Sequence, residues 1–248
     1  MGPSGCVAWR REGWCRVCYK ESVDDAARSK SYWERSATRN PAWFSATGFT
    51  SIDEDFYFSG EADVVDFQNL LGIYVTRNSV LLELGSGAGR MTRRLAGDAA
   101  RVIAADVSAT MLGVAKTNLA GHDNVDYVEL AGSGEIPLDD ESVDSVISYF
   151  TLQHVRTAMI QRRYLAEIVR VLRPGGWAVV QLRRTGARAR ALEWRGHIGN
   201  LLKGRNTLSR SWRGSRVSES DVRSLRRDGV RVDVLRIDAR YICAIIRK

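Results

Sequence analysis

The chain has 248 residues, 44% of them hydrophobic, and a formal net charge of +8. That length suits one α/β domain with additions, and the composition is that of a globular protein rather than a disordered or fibrous one. No apolar run approaches the ~20 residues of a membrane-spanning helix, and no apolar signal core follows Met1-Gly2-Pro3, so a cytoplasmic protein is the expectation.

Residues 1–21 have no clear periodicity and read as a disordered extension. Cys15 and Cys18 have the spacing of half a zinc site, and Cys6 could add a third thiolate. The first histidine is His122, so no fourth ligand lies near; reduced thiols are the favoured reading and no metal is expected. Residues 22–75 read as a helical cap. It comprises a helix over 23–37 carrying Tyr32 and Trp33, an acidic and aromatic stretch over 53–60, and a second helix over 61–71.

The stretch 80–92 organises the rest. Val80, Leu81 and Leu82 make a buried-strand run that ends in Glu83. Gly85, Gly87 and Gly89 follow at alternate positions, and a helix-forming run begins at Arg90. Without Cβ atoms such a turn lets a ligand approach the backbone, and open N–H groups at a helix start favour a polar or anionic group. The nicotinamide fingerprint G-x-G-x-x-G would need a glycine where Arg90 stands. A second apolar run, 102–105, ends in Asp106, whose carboxylate can accept two hydrogen bonds from a ribose diol.

Ser108 caps a helix over 108–120 that carries Met111. Residues 124–130 alternate as a third strand, and 142–150 read as a fourth, followed by Thr151-Leu-Gln-His-Val155. Ligands of open α/β sheets bind beyond the carboxyl ends of the strands, which places Tyr149, Phe150, Gln153 and His154 at the reacting end. His154 can be a general base or a structural hydrogen-bonder in the strand-to-helix turn, and both readings stay open. His122 and His197 read as a loop residue and a solvated one. An amphipathic helix over 158–172 is stopped by Arg173-Pro-Gly-Gly176, ahead of a fifth strand over 177–182. From 183 to 216, nine arginines and Lys203 stand against the single acid Glu193, with Trp194 and Trp212 among them. This basic insert or lid, 183–217, would draw acidic partners by its field. A helix over 218–228 and a hairpin of strands 230–237 and 240–247 close the chain.

The E-x-G-x-G-x-G loop with an acid one strand later, F-x-x-Q-H-V at 150–155 and L-R-P-G-G at 172–176 together resemble the class I S-adenosylmethionine-dependent methyltransferases. Y-W-E-x-x-A at 32–37 and D-F-Y-F-S-G at 55–60 are similar to that family's N-terminal cap. The resemblance covers roughly residues 30–248. It implies a Rossmann-like, doubly wound α/β fold: a seven-stranded sheet with an antiparallel terminal hairpin, an N-terminal helical cap and an insert after the fifth strand. One methyltransferase domain over 22–248 is implied.

By the same resemblance the cofactor is S-adenosylmethionine, held by Glu83, Gly85, Ser86, Gly87 and Gly89, by Asp106, Val107 and Met111, and by Tyr149. The chain departs from the family's G-D-A-x-x-x-P at Gly132, where an aspartate would accept from the adenine amine. Gly132, Ser133 and Gly134 are expected to supply the replacement. The implied reaction is methyl transfer to an oxygen or nitrogen of a small molecule such as a sugar or natural product, with an acidic acceptor suggested by the basic insert. A nucleic-acid methyltransferase is a weaker alternative, since no RNA-binding module and no Asn/Asp-Pro-Pro-aromatic motif is present. A non-catalytic S-adenosylmethionine-binding protein is the third reading, motivated by Gly132.

Overall fold

The computed structural model describes residues 16–185 and 210–248, with side chains from residue 23 in the first stretch and from 211 in the second. The expectations placed on Cys6, Cys15, Trp194, His197 and most of the basic insert lie outside the described residues.

Each of the apolar runs forms a strand. They are β1 (Val80–Leu84), β2 (Arg101–Asp106), β3 (Val125–Glu129), β4 (Val143–Ser148), β5 (Leu172–Arg183), β6 (Arg231–Arg236) and β7 (Tyr241–Arg247). Their order in the sheet is β3-β2-β1-β4-β5-β7-β6. The first five pair in parallel, and β7 runs antiparallel to both β5 and β6. This is the expected Rossmann-like sheet with its terminal hairpin. Strand order reverses between β1 and β4, so a crevice opens beyond the ends of these two strands.

Helices cover both faces because the strands present apolar residues on both. Along β1, Leu82 and Leu84 enter one core with Tyr164, Leu165 and Ile168 of α6 (Ala158–Val171). Leu81 points the other way, to Val64 and Phe67 of α3 (Glu54–Leu71) and Leu95 of α4 (Thr92–Asp98). All three leucines are fully buried, so truncating any of them to alanine should cost about 2–5 kcal/mol.

Several boundaries differ from expectation. α1 runs from Arg16 to Arg39, so helix replaces the last part of the supposed extension. α2 (Pro41–Ser45) was not anticipated, although Asn40 before Pro41 is a helix-start signal: its side chain accepts from Trp43 N at 2.9 Å. The acidic-aromatic stretch belongs to α3, because Asp53 caps it by accepting from Phe56 N, and Gly72 in the left-handed region ends it. α5 (Ala109–Asn118) has Ser108 as its cap, as expected.

β5 begins at Leu172, five residues early. The Pro-Gly-Gly segment is extended because it meets the chain end, with Gly175 N donating to Lys248 O and Lys248 N to Gly176 O. The helix after Ser218 is only Glu219–Arg223, started by a reciprocal capping box between Ser218 and Asp221. Among the described residues no helix is long and apolar enough to cross a membrane.

Candidate active site

The turn after β1 is built around two positions that exclude a side chain. Gly85 has φ +87° and Gly87 φ +55°. A Cβ on Gly85 would lie 2.0 Å from the Thr151 side chain, and one on Gly87 2.8 Å from Ser45 Oγ. The N–H groups of the turn itself are engaged. Gly85 N donates to Ala105 O at 2.6 Å, Gly87 N to Asp106 Oδ2 at 3.0 Å and Ala88 N to Ser45 Oγ at 3.0 Å. α4 starts two residues later than Arg90 for the same reason: residues 86–89 close a turn of their own, Gly89 N to Ser86 O.

Asp106 ends β2 beside this turn. Its Oδ1 accepts from Ser108 N at 2.9 Å and its Oδ2 from Gly87 N. Each oxygen keeps lone-pair capacity for one more donor, which is what a diol requires. Burial raises its pKa, opposed by these backbone donors. Glu83 is buried at the end of β1 and accepts from Thr92 Oγ1 at 2.6 Å. Burial pushes its carboxyl up to about 7, against the pull of Thr92 and Arg90. Arg90 itself pairs with Asp63 of α3 at 2.6 Å and donates to Ser59 Oγ at 3.2 Å.

A cavity of about 660 Å³ opens from this turn along the ends of β4 and β5. Glu83, Gly85, Ser86, Gly87, Asp106, Val107, Met111, Gly132, Tyr149 and His154 all line it. Gly89, Ser133 and Gly134 do not. A Cβ at Gly89 would strike Leu119 of the α5 flank, and one at Gly134 would strike Arg163 and the Ile160 carbonyl of α6. These two glycines therefore permit packing, while Ser133 turns to Glu135 at 3.4 Å. Gly132 has φ +79°, a conformation that disfavours the side chain the family places there.

At the far end, rings dominate. Trp33 of α1 and Trp212 flank His154, at 5.3 and 5.1 Å, and Trp43 and Phe44 of α2 pack on Trp212, with Trp43 stacked on it at 5.2 Å. The His154 Nδ1 faces the Trp212 carbonyl, so Nδ1 carries the hydrogen. Its Nε2 lies 3.3 Å from Gln153 Nε2, which donates to it. Burial first, and then the Arg183 guanidinium, hold its pKa down to about 3, against the Trp212 carbonyl. The ring is neutral at physiological pH with both nitrogens engaged.

The segment around Trp212 is pinned by other bonds as well: Arg156 reaches Ser211 Oγ at 2.9 Å and Asp25 at 3.0 Å, and Ser215 N donates to Val155 O at 2.7 Å. Arg90, Arg156 and Arg240 at the cavity each have an acid partner. Ser45, Thr151, Trp43, Phe44, Arg156 and Trp212 were not picked out as site residues from the sequence. Only the Asn40-Pro41 helix start before Trp43 carried a local signal.

The donor set fits S-adenosylmethionine. Glu83 offers a buried carboxyl that a cationic ligand would ionise, Asp106 suits a diol, and the buried Ser86 Oγ has no hydrogen-bond partner among the described residues. No group of three or more His, Cys, Asp or Glu side chains among the described residues could hold a metal.

Residues 82–180 match the methyltransferase domain family. The chain is 41% identical over 100 residues to a demethylmenaquinone methyltransferase of Clavibacter sepedonicus, covering 40% of this chain and 39% of that protein. It is 35% identical over 112 residues to the ubiquinone/menaquinone biosynthesis C-methyltransferase UbiE of Hahella chejuensis, covering 43% of each. These matches span about two fifths of the relatives' own length. Among solved structures, the DhpI–SAM–HEP complex superposes with a TM-score of 0.59 at 20% identity, over 92% of this chain and 98% of that one. Phosphoethanolamine N-methyltransferase 1 of Haemonchus contortus gives 0.61 at 16% identity, over 90% and 48%. At these identities the structural likeness concerns the fold alone. The glycine turn and Asp106 both lie inside the stretch that matches the methyltransferase domain.

Proposed function

We propose that the protein transfers a methyl group from S-adenosylmethionine to a small phenol- or quinol-type acceptor, at an oxygen or at a ring carbon made nucleophilic by it. The cofactor is held by Glu83, the Gly85–Ser86–Gly87 turn, Asp106, Val107, Met111 and Gly132. Bound there, it supplies a methyl carbon already activated by a sulfonium. The chain's own residues need to orient the acceptor and exclude water.

The observation that carries the acceptor class is the state of His154: its pKa is held down to about 3, so it accepts a proton poorly, and both of its nitrogens are engaged. It acts as a positioning residue that ties the Trp212 segment to the turn after β4. A sugar hydroxyl would need such a base, worth about 10²–10⁴-fold in rate. A phenolic hydroxyl, with a pKa of about 10, ionises far more readily. The apolar ring walls favour the same class. The relatives named for demethylmenaquinone and ubiquinone biosynthesis support it too.

Incubation with methyl-labelled S-adenosylmethionine and, separately, 1-naphthol, a reduced short-chain naphthoquinone and glucose tests the reading by mass spectrometry. Label in either aromatic compound and none in glucose is expected. Label in glucose alone would refute the acceptor class, and no label in any compound despite cofactor binding would favour a non-catalytic binding protein.

A further inference from the structure

β4 ends at Ser148, and two residues later Phe150 stands at φ +55°. A bulky side chain rarely adopts that conformation, and it persists only where the surroundings enforce it. Here they do. Phe150 N donates to Oε1 of the buried Gln181 at 2.9 Å, and Phe150 O accepts from Gln153 Nε2 at 3.1 Å. Thr151 adds bonds to Tyr149 O at 3.1 Å and Gly85 O at 3.2 Å, which fixes this turn against the cofactor loop.

Glycine would satisfy the turn at no steric cost. The phenyl ring adds strain and is not buried in return: it is 40% exposed, with Tyr149 at 4.3 Å on one side. Val23, Phe58, Leu70, Tyr74 and Ile237 are the other exposed large apolar side chains among the described residues, and of the six only Phe150 lines the cavity. Packing among the described residues therefore does not account for the ring.

We propose that Phe150 is a specificity-determining residue, a ring held out by the Gln181–Gln153 brace so that the flat face of an aromatic acceptor stacks on it beside the cofactor. This rests on the methyltransferase reading above. Aromatic stacking is worth up to about tenfold in affinity beyond the area it buries.

The test uses the full chain saturated with S-adenosylhomocysteine and 1-naphthol as the probe, titrated by calorimetry. Phe150→Gly relieves the backbone strain, so its melting temperature should equal or exceed that of the wild type. Its dissociation constant for 1-naphthol should rise by about tenfold or more. Phe150→Leu keeps apolar volume without a ring and should also weaken binding, whereas Phe150→Tyr should not. Affinity for S-adenosylhomocysteine should stay the same in all three. Naphthol affinity unchanged in both the Gly and Leu variants, or no naphthol binding by a wild type that binds S-adenosylhomocysteine, would overturn the assignment of Phe150. Failure of the wild type to bind S-adenosylhomocysteine would instead overturn the methyltransferase reading, and the role of Phe150 with it.

Discussion

Replacing His154 by alanine removes the hydrogen bond to the Trp212 carbonyl and the ring contacts with Trp33 and Trp212. A net hydrogen bond is worth about 0.5–1.5 kcal/mol, and each aromatic pair about as much again. The variant should therefore lose roughly 2–4 kcal/mol of stability, a fall of about 5–15 °C in melting temperature. pH adds a second signature. The folded pKa is held down to about 3 against the usual 6.5, so below pH 6.5 the unfolded chain binds a proton that the folded chain refuses. The contribution of neutral His154 is complete above that pH and is lost as pH falls toward 3. Between pH 7 and pH 5 the wild type should lose about 2 kcal/mol relative to the variant. Urea unfolding at the two pH values measures this directly. In the same variant, residual methyl transfer should keep the pH profile of the wild type. Loss of a rate limb near pH 6–7 with stability unchanged would show that His154 is a base and that its bonding was misjudged.

Other consequences follow from the cofactor end. The folded pKa of Glu83 is raised to about 7 from 4.5, so its contribution to stability is full below pH 4.5 and is lost as pH rises toward 7. Glu83→Gln should then stabilise the ligand-free protein at pH 8 by of order 1–3 kcal/mol, measured by urea unfolding, and should weaken S-adenosylmethionine. Calorimetry at pH 6 in two buffers of different ionisation enthalpy should show a proton released when S-adenosylmethionine binds the wild type but not Glu83→Gln. Gly132→Asp forces a side chain into φ +79° and should cost about 1–2 kcal/mol in thermal stability, even though it restores the residue type usual in the family. Ser45→Ala leaves the buried Ala88 N without its partner and should weaken cofactor binding severalfold, by loosening α2 from the glycine turn, with a fall of several degrees in melting temperature.

The parts of the site set by neighbours in sequence were legible. Three spaced glycines, an acid at the end of each of two apolar runs and a serine cap after the second define the turn, Asp106 and the start of α5. The apolar runs marked the strands, while the seven-stranded sheet with its antiparallel terminal pair was implied by the family resemblance. What was not legible depends on contacts across long stretches of chain. Ser45 reaches Ala88 only because α2 docks on the glycine turn, and His154 is engaged by a carbonyl 58 residues away. The early start of β5 likewise depends on Lys248 at the other end of the chain. Gly89 and Gly134 belong to recognisable motifs, yet whether a glycine faces a ligand or a neighbouring helix is decided by packing. The place of Phe150 at the reacting end was legible, but its strained backbone and exposed ring were not, because its φ is imposed by Gln181 from the adjacent strand.

The central claim is that the Gly85–Gly87 turn and Asp106 hold S-adenosylmethionine, and a calorimetric titration with S-adenosylhomocysteine tests it most directly. One molecule should bind per chain, NADH should give no heat, and Asp106→Asn should weaken binding about 10- to 100-fold, as expected for hydrogen bonds to a charged acceptor. Binding of NADH with no response to S-adenosylhomocysteine, or an affinity indifferent to Asp106→Asn, would contradict it.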